Sequence, residues 1–174
     1  YWGGQVPFVT PTDMDTGRFV KTERFLTEDG VASVKNSLCT KGTVMVSCIG
    51  TIGKIAIATE DVVTNQQINS IIPNENFDSE YVYYLMQNSQ TILKSHSSGT
   101  GRTMPRINKC SFAKISLKGT RVKDAQKQIA KILGDLDRKI ELNRKTNETL
   151  EQIGQALFKK YFIHNPERES WNEV

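Results

Sequence analysis

The residues best suited to chemistry gather in one acid-free window. From Tyr81 to Lys123 there is no Asp or Glu, while Lys94, Arg102, Arg106, Lys109, Lys114, Lys118, Arg121 and Lys123 carry positive charge, with His96 among them. Ser97-Ser-Gly-Thr-Gly101 reads as a flexible loop within this window. A single-sign stretch of this length is a footprint for a polyanion. The structural alternative is a solvated face whose counter-charges come from elsewhere in the fold. The Gly, Ser and Thr that accompany the charges favour the footprint.

Catalytic chemistry finds little support. Gly50-Thr-Ile-Gly53-Lys54 approaches a phosphate-binding loop, but its glycines are too close together and Ile follows the Lys. A hairpin turn fits it better. His96 and His164 are the only histidines, and neither has a metal-ligand neighbour. Asn165-Pro166-Glu167-Arg168 lacks the aromatic residue that amino-methyltransferases place after Asn-Pro-Pro, so it reads as a helix stop. No carboxylate pair stands beside a Lys as in a nuclease. These residues describe a binding module with no catalytic or metal-ligating set.

The elements that must position the window form two parts. Val6 to Thr10 reads as a strand that Pro11-Thr12-Asp13 ends. Thr43 to Ile49 is rich in β-branched residues, and Lys54 to Ala58 alternates with period two, so the pair predicts a hairpin across Gly50 to Gly53. Another strand is expected near Ile68 to Ile72. Asp78-Ser79-Glu80 looks like a helix cap, and Val82, Leu85, Met86 and Leu93 extend one helix to about Leu93. Phe112 to Leu117 is expected to be a last strand. From Asp124, the expected N-cap, to about Phe162 no Pro intervenes, and the helix would run roughly 55–60 Å at 1.5 Å per residue.

A heptad seam marks that helix: Ile129, Leu133, Leu136, Ile140, Asn143, Asn147, Leu150, Gly154, Leu157 and Tyr161 follow one another in steps of four and three. A core helix of a bundle is the alternative, but about 120 other residues are too few to bury that length. Placing a twofold axis near Lys145 pairs Asn143 with Asn147, Ile140 with Leu150, Leu136 with Gly154, Leu133 with Leu157 and Ile129 with Tyr161. This pattern predicts an antiparallel homodimer. A parallel pairing would leave Gly154 facing Gly154. The fold class is therefore α+β: a mixed, strand-rich domain over residues 1–120, one long coiled-coil helix over 121–164, and a tail over 165–174.

Composition agrees with a globular head plus an appendage: 37% of residues are hydrophobic and 24% charged, with a net charge of +4. Cys39, Cys48 and Cys110 show no metal spacing and suit a reducing cytosol. No apolar run approaches a membrane span and no signal peptide is visible, so the expected location is the cytoplasm with no membrane partner. The chain opens on Tyr1-Trp2 without Met and is expected to be a fragment.

Four segments together resemble a known family. Tyr1-Trp-Gly-Gly-Gln-Val-Pro-Phe-Val-Thr-Pro-Thr-Asp-Met14 resembles the opening of the target recognition domain in type I restriction-modification specificity subunits. Thr64-Asn-Gln-Gln-Ile-Asn-Ser-Ile-Ile-Pro73 matches their central motif, and Gly99-Thr-Gly-Arg-Thr-Met-Pro-Arg-Ile107 looks like the loop before their last strand. Gln126 to Leu133, Asp137, Lys139 to Arg144, and Leu157-Phe158 look like their helical region. The resemblance implies two recognition domains per full subunit, each followed by a long helix, with the helices paired antiparallel and each domain reading half of a bipartite DNA sequence. It implies double-stranded DNA and DNA methyltransferase subunits as partners, with a restriction subunit where cleavage occurs. It further implies S-adenosylmethionine, and ATP with Mg, on those partners, with no cofactor on this chain. The chain departs from the pattern in having one recognition domain and one helix and in lacking the usual first strand region. It would thus be half a subunit, working as a homodimer or with the other half of a split subunit. A coiled-coil adaptor with a β-rich protein-binding head is the reading from another class. It offers no reason for the acid-free window. A lone DNA-modifying enzyme fails for want of a catalytic set.

Base edges are read by directional hydrogen bonds, while Lys and Arg on phosphates set position. Arg102 and Arg106, flanking the Gly/Thr loop, are the first candidates, with Lys94, Thr100 and Thr103 beside them. Thr51 and Lys54 at the hairpin tip and Thr10 and Thr12 after the first strand are further candidates. Gln66 and Gln67 belong with Asn69 to the shared central motif. A shared motif weighs toward scaffold, with buried amides tying loops down, over reading.

Overall fold

The computed structural model describes residues 1–15, 17–98, 104–166 and 168. Seven strands and five α-helices are formed among them: β1 (Trp2–Val9), β2 (Phe25–Leu26), α1 (Glu28–Ser33), β3 (Leu38–Cys39), β4 (Val44–Ser47), β5 (Ile55–Ile57), β6 (Val62–Thr64), β7 (Ile68–Ile71), α2 (Ser79–Gln87), α3 (Gln90–Ser95), α4 (Lys109–Ala113) and α5 (Lys123–Phe158). The α+β class expected from the sequence is present, with strand-rich sheets first and one long helix last.

The strands make two sheets. One has the order β2-β1-β6-β3, with β1 and β6 parallel; the other has the order β5-β4-β7 and is antiparallel throughout. In β4 every residue is buried, because alternate side chains enter different cores. Val44 and Val46 join Ile55 and Ile57 of β5 against Val82, Tyr83 and Met86 of α2 and Leu93 of α3. Met45 and Ala56 point the other way, toward Val9, Cys39 and Val62 of the first sheet. The three-stranded sheet is thus the middle layer between the helices and the four-stranded sheet. A strand covered on both faces reads as an unbroken apolar run, which is how Thr43 to Ile49 reads.

The expected hairpin is formed, with Val44 opposite Ile57 and Val46 opposite Ile55. Its tip is fastened by the buried Ser47 hydroxyl, which donates to the Thr51 carbonyl at 2.5 Å and accepts the Lys54 N–H at 2.9 Å. Gly53 takes φ +89°, and the Gln90 amide donates to its carbonyl at 2.6 Å, leaving no room for a Cβ.

Four expectations are corrected. The first strand begins at Trp2, well before Val6. The helix capped by Asp78 breaks at Asn88-Ser89, where the Ser89 hydroxyl bonds back to the Leu85 carbonyl. Phe112 to Leu117 is not a strand: the Asn108 side chain accepts the Ser111 N–H at 2.8 Å and caps α4, and Phe112, Ile115 and Leu117 pack singly on the core with no ladder partner. Helix α5 starts at Lys123, which places Asp124 in its first turn, where a carboxylate complements the helix dipole. After Phe158 the helix continues as one π-helical turn, Lys159–Ile163.

The chain divides into two compact units, Tyr1–Gly134 and Asp135–Val174. The first turns of α5 belong to the first unit. There Gln126, Ala130 and Gly134, four residues apart, form one buried stripe. Gln126 has no exposure: its Oε1 accepts the Asp78 N–H at 2.8 Å, and its Nε2 donates to the Asn76 and Thr120 carbonyls at 3.2 and 3.1 Å.

Along the rest of α5 and its π-helical extension the seam faces solvent. Ile129, Leu136, Ile140, Leu150, Leu157 and Tyr161 are exposed, as are Asn143, Asn147 and Gly154, while Leu133 is half-buried. Among the described residues no helix is long and apolar enough to cross a membrane.

Candidate nucleic-acid interface

Strand β1 ends at Val9, and Thr10 opens a single 3-10 turn, Pro11–Met14. The Asp13 carboxylate closes it by accepting the Thr10 N–H at 2.7 Å and the Thr10 hydroxyl at 2.9 Å. Pairing of β1 with β2, Pro7 opposite Phe25, brings Arg24 beside this turn. The Arg24 Nη2 donates to Asp13 at 2.6 Å and to the Thr10 hydroxyl at 2.5 Å. Lys54, from the β4–β5 tip, donates to the Asp15 carboxylate at 2.5 Å and to the Pro11 carbonyl at 3.1 Å. Two ion pairs therefore fasten the turn, one from Arg24 and one from the β4–β5 tip.

The central motif supplies a third edge. The Asn65 side chain accepts the Gln67 N–H at 3.0 Å and donates to the Gln67 amide oxygen at 2.9 Å, a local turn that presents both amides. The segment after the Gly/Thr loop supplies a fourth. The Ile107 N–H donates to the Cys48 carbonyl at 2.7 Å and the Gly50 N–H to the Pro105 carbonyl at 3.0 Å, which lays Met104 to Ile107 along the hairpin tip. Asn69, nearly buried, donates to the Ile107 carbonyl at 3.4 Å.

These four edges surround an open cleft of about 420 Å³. Of the residues singled out in the sequence, Thr10, Thr12, Thr51, Lys54 and Gln67 line it. Arg106 is exposed at its rim, bridged through its backbone to Ile49. Lys94 is exposed on α3 and does not line the cleft. Gln66 is exposed on the far side of the 64–67 turn, in a second cleft that also holds Lys109, and Asn65 lines both. Thr100, Arg102 and Thr103 lie outside the described residues. His96 is engaged with the main chain, its Nδ1 lying 2.9 Å from the Ile92 carbonyl oxygen.

Sequence reasoning missed Arg24, Asp13 and Asp15. Arg24 lies outside the acid-free window and next to Glu23, so charge pattern gave no cue. The Thr10–Asp13 spacing of three is a turn-closing signal that could have found Asp13. Beneath the cleft, burial pushes the Cys48 thiol above its ordinary range, and hydrogen bonding to Asn69 only partly offsets this. Among the described residues no group of three His, Cys, Asp or Glu side chains is placed to hold a metal ion. The cleft offers hydrogen-bond donors and acceptors on loops carried by a buried scaffold, the arrangement of a recognition surface.

Comparison with known proteins agrees with that chemistry. Residues 1–152 match the family described as type I restriction modification DNA specificity domain. The chain is 34% identical over 168 residues to the type I restriction enzyme MjaIX specificity subunit of Methanocaldococcus jannaschii, covering 94% of this chain and 38% of that protein. It is also 34% identical over 120 residues to the HindI specificity subunit of Haemophilus influenzae, covering 67% of this chain and 26% of the relative. It thus spans well under half the length of these relatives. The fold is similar to the crystal structure of the type I restriction-modification S subunit from M. genitalium, with a TM-score of 0.66, 19% identity, and 96% of this chain against 41% of that one. The HsdS subunit from Thermoanaerobacter tengcongensis gives a TM-score of 0.58 at 16% identity, over 91% of this chain and 37% of that one.

Proposed function

Because the chain belongs to the type I restriction-modification DNA specificity domain family, we propose that it is a non-catalytic DNA recognition subunit that reads one half of a bipartite target. One observation supports this above the others. Loops at 10–15, 49–54, 65–67 and 104–106, far apart in sequence, share one cleft of directional polar groups beside the acid-free window. Polar groups in a cleft suit base edges, and uncompensated cations nearby suit phosphates. The subunit acts in the cytoplasm on double-stranded DNA and positions DNA methyltransferase subunits, and a restriction subunit where cleavage follows. S-adenosylmethionine, and ATP with Mg, belong to those partners.

The long helix joins two copies, antiparallel, or joins this copy to the other half of a split subunit. Its exposed seam favours this reading. So do two apolar residues that flank the seam, Ile132 and Phe158, which widen its apolar stripe and are both more than half exposed. Duplex binding by the full chain tests the function. Affinity should fall steeply and log-linearly with salt, and certain sequences should be enriched from a random pool. Binding to no duplex at any salt would end this reading.

A further inference from the structure

The cleft's charges are balanced. Arg24 is paired with Asp13 and Lys54 with Asp15, so two cations meet two anions. The unbalanced charge lies elsewhere: Lys94, Arg106 and Lys109 are exposed and make no ion pair among the described residues. A neutral cleft is a poor clamp for phosphate, whose binding draws on net positive charge and counterion release. Its hydrogen-bonding capacity is undiminished. Only Nη2 of Arg24 is engaged by described residues, so Nη1 and Nε keep their donors. The side chain is 43% exposed and lies where two clefts adjoin, one with Thr51, Lys54 and Gln67, the other with Thr12 and Lys21. An arginine already held by a carboxylate and a hydroxyl loses little freedom on meeting a ligand. Asp13 has only 14% exposure and serves to hold it.

We propose, resting on the DNA-recognition reading above, that Arg24 is a specificity-determining residue that donates to the acceptor edge of one base, guanine O6 or N7, and that Asp13 positions it and cancels its charge. The exposed cations of the acid-free window then bind the phosphates. Reading and gripping are thereby separated, with the readers neutral as a group and the grips bare.

The test uses the full chain and a pool of duplexes with a randomised core. Bound duplexes are sequenced, and dissociation constants follow for the preferred duplex and its single-base variants at several salt concentrations. Arg24→Ala should flatten the preference at one base pair by about tenfold, with the salt slope unchanged. Arg24→Lys, which keeps the charge and an ion pair but loses the planar fork, should flatten it as well. Asp13→Asn should lose the same preference while steepening the salt slope by about one unit, since it uncovers a cation. Arg106→Ala should do the reverse, keeping base preference while the slope falls by about one unit. Thermal unfolding of each variant reports whether the fold is kept. Wild-type preference retained in Arg24→Lys would make the pair structural and overturn the proposal. A reduced slope with intact preference in Arg24→Ala would make Arg24 a phosphate contact, with the same result. Should the wild-type chain enrich no sequence and show no salt dependence, DNA recognition itself fails, and this proposal falls with it.

Discussion

A glutamine without solvent exposure must satisfy both ends of its amide inside the fold, and Gln126 does so on three backbone groups. Replacing it with Leu keeps bulk but leaves the Asp78 N–H and the Asn76 and Thr120 carbonyls short of partners. A loss of about 2–3 kcal/mol is expected, or roughly 5–10 °C in Tm. Urea unfolding would show it, and a loss near zero would mean that water replaces the amide. The cysteines differ in the same way by environment. Cys48 and Cys39 are buried and Cys110 is exposed, and burial holds the Cys48 thiol in its protonated, unreactive form. Iodoacetamide at mildly alkaline pH should therefore label Cys110 in the folded chain and reach the other two only after unfolding, as peptide mass mapping would show. Residues of this kind were partly legible in sequence. Gln126 stands in the segment that resembles the family's helical region, and the central motif predicts buried amides that tie loops down, as Asn69 does in donating to the Ile107 carbonyl. Arg24 was not legible, because only the pairing of β1 with β2 carries it across eleven residues to Asp13.

Elements whose burial writes a pattern into the chain could be read, and those held by single contacts could not. Strands β4, β5 and β7 were legible because their residues alternate between two cores or fill both. Strands β2 and β3 are two residues long, too short for any period. Phe112, Ile115 and Leu117 mimic a strand's apolar content, yet the Asn108 cap takes the chain into α4 first. The glycine spacing predicts a turn at the β4–β5 tip, and its geometry makes a sharp demand. Gly53→Ala drives a Cβ into the Gln90 amide oxygen at a positive φ. The cost should be at least about 1–2 kcal/mol, read as a lower Tm. An unchanged Tm would mean that Gln90 swings away freely. Weakened DNA affinity should accompany it, because the tip carries Thr51 and Lys54 into the cleft.

At the scale of the whole molecule the expectations concern assembly and division of labour. The full chain incubated with duplex DNA and labelled S-adenosylmethionine should transfer no label until a methyltransferase subunit is added; transfer by the chain alone would contradict a purely recognising role. Sedimentation at micromolar concentration should give twice the monomer mass. Asn143→Leu with Asn147→Leu should keep the helix and lose the single oligomeric state, because paired amides in an apolar seam fix register. A monomer at that concentration, or a 143-to-143 crosslink between introduced cysteines in preference to 143-to-147, would exclude the antiparallel dimer. The long helix also has a direction in time. Gln126, Ala130 and Gly134 bury its beginning, whereas every described residue from Leu142 to His164 is exposed. Most helical stability in proteins comes from packing of an amphipathic face, which this segment lacks in a lone chain. In a lone chain the helix should therefore open from its C-terminal end, and its amide hydrogens should exchange with solvent in a gradient: slowest near Ala130, where release requires global unfolding, and fastest toward Phe158. Dilution of a dimer would restore that gradient, so the exchange clock of residues 140–158 would report the partner's departure before any change in the head.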